Sequence, residues 1–212
     1  MTFLIFGHRG APSRFAENTV ESFEEALRAG ADGFETDLRL LSDRTAILFH
    51  DDELNEQAIE SLTSQSFEHI TRVSDLAQFA GRATMVLEVK RSKWEDILCS
   101  AIRDWPDIVV ASFDHSTIAE LARRNVKFAL GLTIFGRIAD CAAYASRLGA
   151  SWIFPAWRYV DRGLVDEAHA RNIKVVPWTP NRERDWTSLR EMGCDGVITD
   201  FPAEAVKWRS NE

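Results

Sequence analysis

The 212-residue chain carries 33 acidic and 25 basic side chains, which gives a formal net charge of −8 at pH 7. This acidity argues against nucleic acid or an anionic membrane surface as the main partner, and no stretch approaches the about 20 apolar residues that a membrane span needs. The apolar start, Phe3 to Phe6, is too short for a signal-peptide core, and Cys99, Cys141 and Cys194 lack metal-ligand spacing. We therefore expect a cytoplasmic protein with reduced thiols.

The first predicted strand ends in titratable residues. An apolar run leads directly into His8-Arg9-Gly10. Asn18-Thr19-Val20-Glu21 then has the form of a helix-capping box with Asn18 as the N-cap, and apolar residues at helical spacing lead to Gly30. The sequence therefore predicts a strand that delivers His8 and Arg9 at its end, followed by a helix.

The second predicted strand carries two acidic residues. Glu35 and Asp37 are two positions apart, and because side chains alternate along a strand, both point to the same face. Phe34 and Leu38 beside them are apolar, which favours burial of the pair. Two buried carboxylates repel each other and lose hydration, and a divalent metal ion is the simplest partner that offsets this cost.

A tight hairpin is predicted directly after this strand. Only Ser42-Asp43 separates two apolar runs, and strands joined so closely must be antiparallel. Pairing outward from this turn sets Asp37 opposite Leu48 and Glu35 opposite His50. We therefore expect the hairpin to bring His50 back to the carboxylate pair.

Strand and helix signals alternate through the rest of the chain. Glu88 and Lys90 share one face of the next predicted strand, and a short helix is predicted at 74–80. Eight predicted strands besides the hairpin excursion, with helices between them, indicate a (β/α)₈ barrel that forms one domain over residues 1–212. An open doubly wound sheet is the alternative, but the chain lacks its Gly-rich phosphate-binding turn. The predicted strands after the hairpin are 85–90, 108–113, 128–133, 152–155, 174–179 and 196–199.

Short motifs follow one another in a specific order from residue 5 to residue 202. They are His8-Arg9-Gly10, Glu17-Asn18-Thr19, Gly30-Ala31-Asp32-Gly33, Glu35-x-Asp37, His50-Asp51, Glu88-x-Lys90, Ser112-Phe113, Trp178-Thr179 and Asp195-Gly196-Val197-Ile198-Thr199-Asp200-x-Pro202. Each fragment alone is weak, but the ordered set resembles the glycerophosphodiester phosphodiesterase family.

The resemblance implies a (β/α)₈ barrel that cleaves small glycerophosphodiester substrates to glycerol 3-phosphate and an alcohol. It also implies a role for each matching position. The matching residues are the metal ligands Glu35, Asp37 and Glu88, the catalytic pair His8 and His50, the phosphate-binding Arg9 and Lys90, and the pocket-wall residues Phe113 and Trp178.

The chemistry of these residue types agrees with the implied roles. Three carboxylates suit Mg²⁺ or Ca²⁺, which prefer oxygen ligands. One histidine can accept a proton from the nucleophile while the other donates one to the leaving alkoxide. An arginine and a lysine favour the charge that develops on the phosphate. Attack by water and attack by the neighbouring glycerol hydroxyl through a cyclic phosphate both stay open.

Two other functions are compatible with the same motifs. One is a lysophospholipase D or sphingomyelinase D-like activity, against which the acidic net charge and the absence of an amphipathic membrane-docking segment argue. We therefore expect no stable membrane association. The other is a catalytically silent barrel that binds a phosphorylated metabolite, although such a protein need not keep both histidines and all three carboxylates. The sequence indicates no oligomeric state.

The segment after His50 departs from the family pattern. Asn55-Glu56-Gln57-Ala58 stands where relatives have an Arg-Thr-Thr-like stretch, and residues 51–84 are too few to build a large lid. We therefore expect an open site, walled by Trp178 and Phe113, that discriminates little between head groups.

Overall fold

The computed structural model describes residues 2–211, and within that range the chain forms eleven strands and seven α-helices. The strands are β1 (Leu4–His8), β2 (Gly33–Leu40), β3 (Ala46–Leu48), β4 (Glu53–Leu54), β5 (Gln57–Ala58), β6 (Thr84–Val89), β7 (Ile108–Ser112), β8 (Ala129–Ile134), β9 (Trp152–Pro155), β10 (Lys174–Val175) and β11 (Gly196–Thr199). The α-helices are α1 (Val20–Arg28), α2 (Glu95–Ile102), α3 (His115–Arg123), α4 (Cys141–Arg147), α5 (Arg162–His169), α6 (Glu183–Glu191) and α7 (Pro202–Ser210).

Parallel strands curl into a barrel, which confirms the predicted (β/α)₈ fold. Within residues 2–211 their order is β10-β9-β8-β7-β6-β2-β1-β11. The two ends of this order meet through backbone hydrogen bonds from Asp195 N to Val175 O and from Ile198 N to Pro177 O, each 2.9 Å long. The carboxyl ends of the strands therefore surround one mouth, where barrel enzymes carry their reactive residues.

Apolar side chains cover both faces of the barrel sheet. Phe6, Phe154 and Ile198 belong to a buried cluster inside the barrel, while Phe34 packs outward and stacks on Phe23 of α1 with ring centroids 4.2 Å apart. Burial on both faces explains why the strands read as near-continuous apolar runs in the sequence.

The hairpin after β2 forms as predicted, but its register is shifted by one residue. Phe49 N donates to Asp37 O at 3.0 Å, and the residues of β3 follow the same shifted register. The predicted pairs Asp37–Leu48 and Glu35–His50 are therefore wrong by one position. His50 still reaches the carboxylates, because it follows β3 directly.

The turn of this hairpin explains the shift. Leu41 N donates to Thr45 O at 2.9 Å, so the loop contains three residues rather than two. Arg44 adopts a φ of 65°, the left-handed conformation that ends such three-residue loops. The sequence concealed this turn because the left-handed position holds an arginine and not the usual glycine.

Two further segments differ from the sequence-based expectation. The predicted helix at 74–80 is a 3₁₀ helix, Val73–Phe79. Helix α7 was not predicted; it packs its Trp208 edge-on against Phe3 with ring centroids 5.6 Å apart. None of the helices in the described part of the chain has both the length and the apolarity to cross a membrane.

Candidate active site

Three carboxylates from neighbouring strands meet inside the barrel mouth. Glu35 and Asp37 lie on β2 and share its inward face, and the parallel register pairs Asp37 with Glu88 of β6. One oxygen from each carboxylate lies within 4.8 Å of the other two, and all three residues are buried. The alternation of side chains along two adjacent strands therefore builds the cluster that the sequence predicts.

The three carboxylates differ in their electrostatic surroundings. Burial, together with repulsion from Asp37 and Glu88, raises the pKa of Glu35 well above its ordinary value. Burial also raises the pKa of Glu88, and the nearby Lys90 offsets only part of that effect. Burial alone would raise the pKa of Asp37 too, but Lys90 and Arg9 outweigh it, so this pKa is lowered.

Two cations stand beside the carboxylates. Lys90 Nζ lies 2.7 Å from Asp37 Oδ1 and also donates to Glu88 Oε1. Arg9 Nε lies 3.2 Å from Asp37 Oδ2. The two opposite charges attract each other at this distance, although Nε makes no hydrogen bond. Its Nη1 donates to Glu17 Oε2 at 2.8 Å. Both cations are therefore held next to the acidic cluster, where a phosphate group would need them.

Asn18 supports the acidic cluster, a role that the sequence analysis missed. Its Nδ2 donates to Asp37 Oδ2 at 2.9 Å, and its Oδ1 accepts from Thr36 Oγ1 at 2.7 Å. The predicted N-cap role of Asn18 is wrong, because Thr19 caps α1 and accepts from Ser22 N at 3.3 Å. Asn18 is instead turned inward by a left-handed φ of 57°.

His8 ends β1 and is oriented by an aspartate. Its Nδ1 lies 2.6 Å from Asp200 Oδ1, and its Nε2 lies 3.9 Å from Glu35 Oε2. Burial alone would raise the pKa of Asp200, but the hydrogen bond with His8 outweighs it and the pKa is lowered. Asn181 Nδ2 holds the other carboxylate oxygen at 2.6 Å. An ionised Asp200 keeps a proton on Nδ1 of His8 and leaves Nε2 available for proton transfer.

His50 follows the hairpin strand and faces the mouth from the other side. Its Nδ1 lies 2.8 Å from Asp51 Oδ1, and its side chain is 38% exposed. Arg39, which is two residues after Asp37 and almost fully buried, anchors the His50 backbone. Arg39 Nη2 donates to His50 O at 2.9 Å and to Asp52 Oδ1 at 2.6 Å. The loop that carries His50 is therefore fixed to β2.

Removing the Arg39 side chain should misplace His50. We expect Arg39→Met to lower kcat by up to about 10²-fold, the cost of a displacement near 1 Å, with a much smaller change in KM. Arg91→Met is the matched control, because Arg91 also approaches Asp52, at 3.6 Å, but donates nothing to His50 in the structure. Steady-state kinetics of both variants check this, and an equal kcat in the two would contradict the anchoring role.

One cavity collects every residue that the sequence analysis assigned to the site. Its volume is about 190 Å³, and its walls include the carboxylates, both histidines, both cations and the predicted wall residues Phe113 and Trp178. A second groove of about 710 Å³ adjoins it and shares His50; Glu17, Glu21 and Glu68 are among its lining residues. The segment after His50 thus forms one wall of an open groove and no lid.

The carboxylate cluster fits a divalent cation. Three buried carboxylate oxygens form the donor set that Mg²⁺ and Ca²⁺ prefer. The raised pKa of Glu35 shows that Lys90 and Arg9 do not compensate the buried negative charge completely. Additional positive charge at this point would therefore stabilise the ionised cluster.

This imbalance predicts a pH-dependent stability. Glu35 has a raised pKa in the folded state, so its contribution to stability is present below its ordinary pKa and is lost as pH rises through the raised value. Asp37 has a lowered pKa and titrates below this window. In chelator, the wild type should therefore lose Tm relative to Glu35→Gln as pH rises above the ordinary pKa of a glutamate. Added Mg²⁺ or Ca²⁺ should raise the wild-type Tm more at the higher pH.

Thermal unfolding of both proteins with and without metal measures this effect. The difference in Tm between the wild type and Glu35→Gln should be smallest at the lowest pH, because a protonated Glu35, like glutamine, carries no charge. A metal-induced rise in Tm that is the same at both ends of the range, or equal in the two proteins, would contradict the assignment.

Three residues of the site could have been predicted from the sequence but were not. Asn18 and Asp200 belong to the ordered motifs, but the resemblance implied no role in the site for either residue. Arg39 shares the inward face of β2 with the two acids, so strand alternation could have indicated it. Nothing in the sequence could show that Arg39 bonds to the carbonyl of His50.

Comparisons with known proteins identify the family of this chain. The model of the glycerophosphoryl diester phosphodiesterase family matches residues 8–98 and 78–204. An uncharacterized protein, YqiK of Bacillus subtilis (strain 168), is 30% identical over 98% of this chain and 99% of its own. A glycerophosphodiester phosphodiesterase of Bacillus altitudinis is 28% identical over 97% of each chain. The structure of an Oleispira antarctica phosphodiesterase in complex with the product sn-glycerol-3-phosphate superposes with a TM-score of 0.86 at 18% identity, covering 99% of this chain and 97% of that one.

Proposed function

The chain belongs to the glycerophosphoryl diester phosphodiesterase family, and we propose that it performs the hydrolysis with a divalent metal ion and two histidines. As a glycerophosphodiester phosphodiesterase, it cleaves its substrate to sn-glycerol 3-phosphate and an alcohol. The composition of the 190 Å³ cavity supports the roles proposed for the metal ion and the histidines.

The acidic cluster supports the metal. Glu35, Asp37 and Glu88 would hold Mg²⁺ or Ca²⁺. When bound, such an ion supplies Lewis acidity, which withdraws charge from phosphate oxygens and lowers the pKa of a hydroxyl group. Arg9 offers a planar fork to phosphate oxygens and Lys90 a point charge, and both favour the negative charge that develops during phosphoryl transfer.

The two histidines divide the proton transfers in this proposal. Nδ1 of His8 is bonded to Asp200 and Nδ1 of His50 to Asp51, so each ring keeps Nε2 for exchange with the substrate. One Nε2 accepts the proton of the attacking hydroxyl, and the other donates a proton to the leaving alkoxide. Phe113 and Trp178 wall the cavity and limit the access of water.

A substrate panel tests the proposed function. Purified protein is incubated with glycerophosphocholine, glycerophosphoethanolamine and glycerophosphoglycerol, with and without Mg²⁺ or Ca²⁺, and released sn-glycerol 3-phosphate is measured. We expect release that depends on the metal. Release from none of them would favour the alternative of a silent barrel that binds a phosphorylated metabolite.

Head groups should change the rate little among these substrates. The groove beside His50 is open, and the acidic side chains that line it, such as Glu21 and Glu68, are exposed to solvent. Because the proposed contacts hold the shared glycerophosphate, kcat/KM should vary less than about tenfold, which corresponds to ~1.4 kcal/mol. A hundredfold preference within the panel would show that the groove recognises one head group.

A further inference from the structure

Thr133 is a polar residue of the reaction cavity that takes no part in the proposed reaction. It lines the 190 Å³ cavity together with the carboxylates, the histidines and the cations. Trp178, which also lines the cavity, already uses its polar Nε1 in a 2.9 Å hydrogen bond to Phe154 O. Among the described residues of the cavity wall, the hydroxyl of Thr133 is therefore the polar group that is left for a ligand.

The strand that carries Thr133 turns its side chain into the cavity. Thr133 lies on β8 between Leu132 and Ile134, which pack into the hydrophobic core outside the barrel. Because side chains alternate along a strand, the side chain of Thr133 faces inward. Only 4% of Thr133 is exposed, so its hydroxyl is shielded from bulk solvent. A group that bonds to this hydroxyl must therefore lie inside the cavity.

The Thr133 hydroxyl has no hydrogen-bond partner within residues 2–211. The backbone oxygen of Thr133 accepts from His115 Nε2 at 3.1 Å, but the side-chain Oγ1 makes no such bond. Most buried polar groups in proteins are hydrogen-bonded, because burying a hydroxyl without a partner costs free energy. A ligand that brings a hydroxyl group to this point would remove that cost.

The cavity has a charged side and an apolar side. His8 and Arg9 lie at the end of β1, and the three acids lie on β2 and β6, whereas β8 is four strands away from β1 in either direction around the barrel. The rest of the cavity wall is mainly apolar and includes Val86, Ala111, Phe113, Phe154, Trp178 and Ile198. Thr133 thus places a hydroxyl group on this apolar side, across the cavity from Arg9.

We propose that the Thr133 hydroxyl hydrogen-bonds to the terminal hydroxyl of the substrate's glycerol and thereby selects glycerol phosphodiesters. The inference rests on the proposed function, because the same cavity would hold the phosphodiester. With the phosphate held beside Arg9 and Lys90, the terminal hydroxyl is the glycerol group farthest from phosphorus and reaches toward β8. The methylene groups of the glycerol suit the apolar wall, and the larger groove beside His50 is left for the variable alcohol. Thr133 is a specificity-determining residue and takes no part in proton transfer.

Two substrates that differ by one hydroxyl group test this contact. Glycerophosphocholine is compared with 2-hydroxypropyl phosphocholine, which lacks only the terminal hydroxyl, and choline release from each is measured at saturating metal. The wild-type kcat/KM should be at least about tenfold lower for the analogue, because the Thr133 hydroxyl then stays unpaired. Thr133→Val should lower kcat/KM for glycerophosphocholine about tenfold and leave that for the analogue within about threefold.

Two further variants control for the loss of a buried hydroxyl in general. Thr133→Ser keeps the hydroxyl and should stay within about threefold of the wild type for both substrates. Thr117→Val removes a hydroxyl that is also buried and unpartnered, but Thr117 lies on α3 and does not line the cavity. This substitution should change neither value.

Calorimetric binding of sn-glycerol 3-phosphate and of 2-hydroxypropyl phosphate gives a readout that needs no turnover. Thr133→Val should weaken binding of the first ligand about tenfold and leave that of the second within about threefold. Equal losses for both ligands, or a wild type that does not distinguish the two substrates, would overturn the contact and leave the phosphodiesterase activity standing. So would a Thr133→Ser variant as impaired as Thr133→Val. Choline release from neither substrate would contradict the proposed function, while the binding comparison would still decide the contact.

Discussion

Glu35→Gln should lower the turnover of glycerophosphocholine by on the order of 10³-fold or more, which corresponds to about 4 kcal/mol of transition-state stabilisation. The substitution keeps the size and shape of the side chain but removes its charge. Burial next to Asp37 and Glu88 raises the pKa of Glu35 well above its ordinary value. Its ionised form therefore depends on an additional cation. Loss of that charge should weaken the metal site without disturbing β2.

A matched control separates this effect from a general effect of replacing a glutamate by glutamine. Glu191→Gln changes the same type of side chain at an exposed position at the end of α6, and Glu191 does not line the cavity. Its turnover should stay within about twofold of the wild type, as is usual for surface substitutions. Initial rates at saturating metal measure both. If Glu35→Gln retained a tenth or more of the wild-type turnover, its assignment as a metal ligand would be wrong.

His8→Ala and His50→Ala should each reduce turnover by roughly 10²- to 10⁴-fold, the range for a lost general acid or base. The two variants should differ in their response to the leaving group. The histidine that protonates the departing alkoxide becomes dispensable when the alcohol is acidic, for example in a 4-nitrophenyl phosphodiester of glycerol. That substrate should restore one variant selectively, because a stabilised leaving group needs no proton.

The aspartate that bonds to each histidine provides a further control. Asp200→Asn should impair His8 alone, since Asp200 bonds to Nδ1 of His8, whereas Asp51 bonds to Nδ1 of His50. The leaving-group response of Asp200→Asn should therefore follow that of His8→Ala. Equal rescue of both histidine variants by the acidic alcohol would show that the proton transfers are not divided between them.

Periodic features of the sequence were sufficient to predict the barrel and the cluster of acidic residues. Alternation places Glu35 and Asp37 on one face, and the ordered apolar runs indicate the strands that bring Glu88 beside them. Such local rules work because each depends on a few neighbouring residues. All of the site residues named from the sequence consequently line the same cavity.

Features that depend on a particular turn or on a distant contact could not be predicted from the sequence. The register of β3 depends on the left-handed conformation of Arg44, which few non-glycine residues adopt. Asn18 looked like a helix cap because its short polar side chain is common at both helix starts and buried networks.

Restoring activity to the chelated protein tests the metal-dependent mechanism most directly. The protein is stripped exhaustively with chelator, and sn-glycerol 3-phosphate release from glycerophosphocholine is followed while Mg²⁺ or Ca²⁺ is added back. Wild-type protein should be inactive at first and regain its turnover in a saturable manner with one of the ions. Glu35→Gln should stay at least about 10³-fold slower at every concentration. Full turnover of the wild type in the continued presence of chelator would contradict the mechanism.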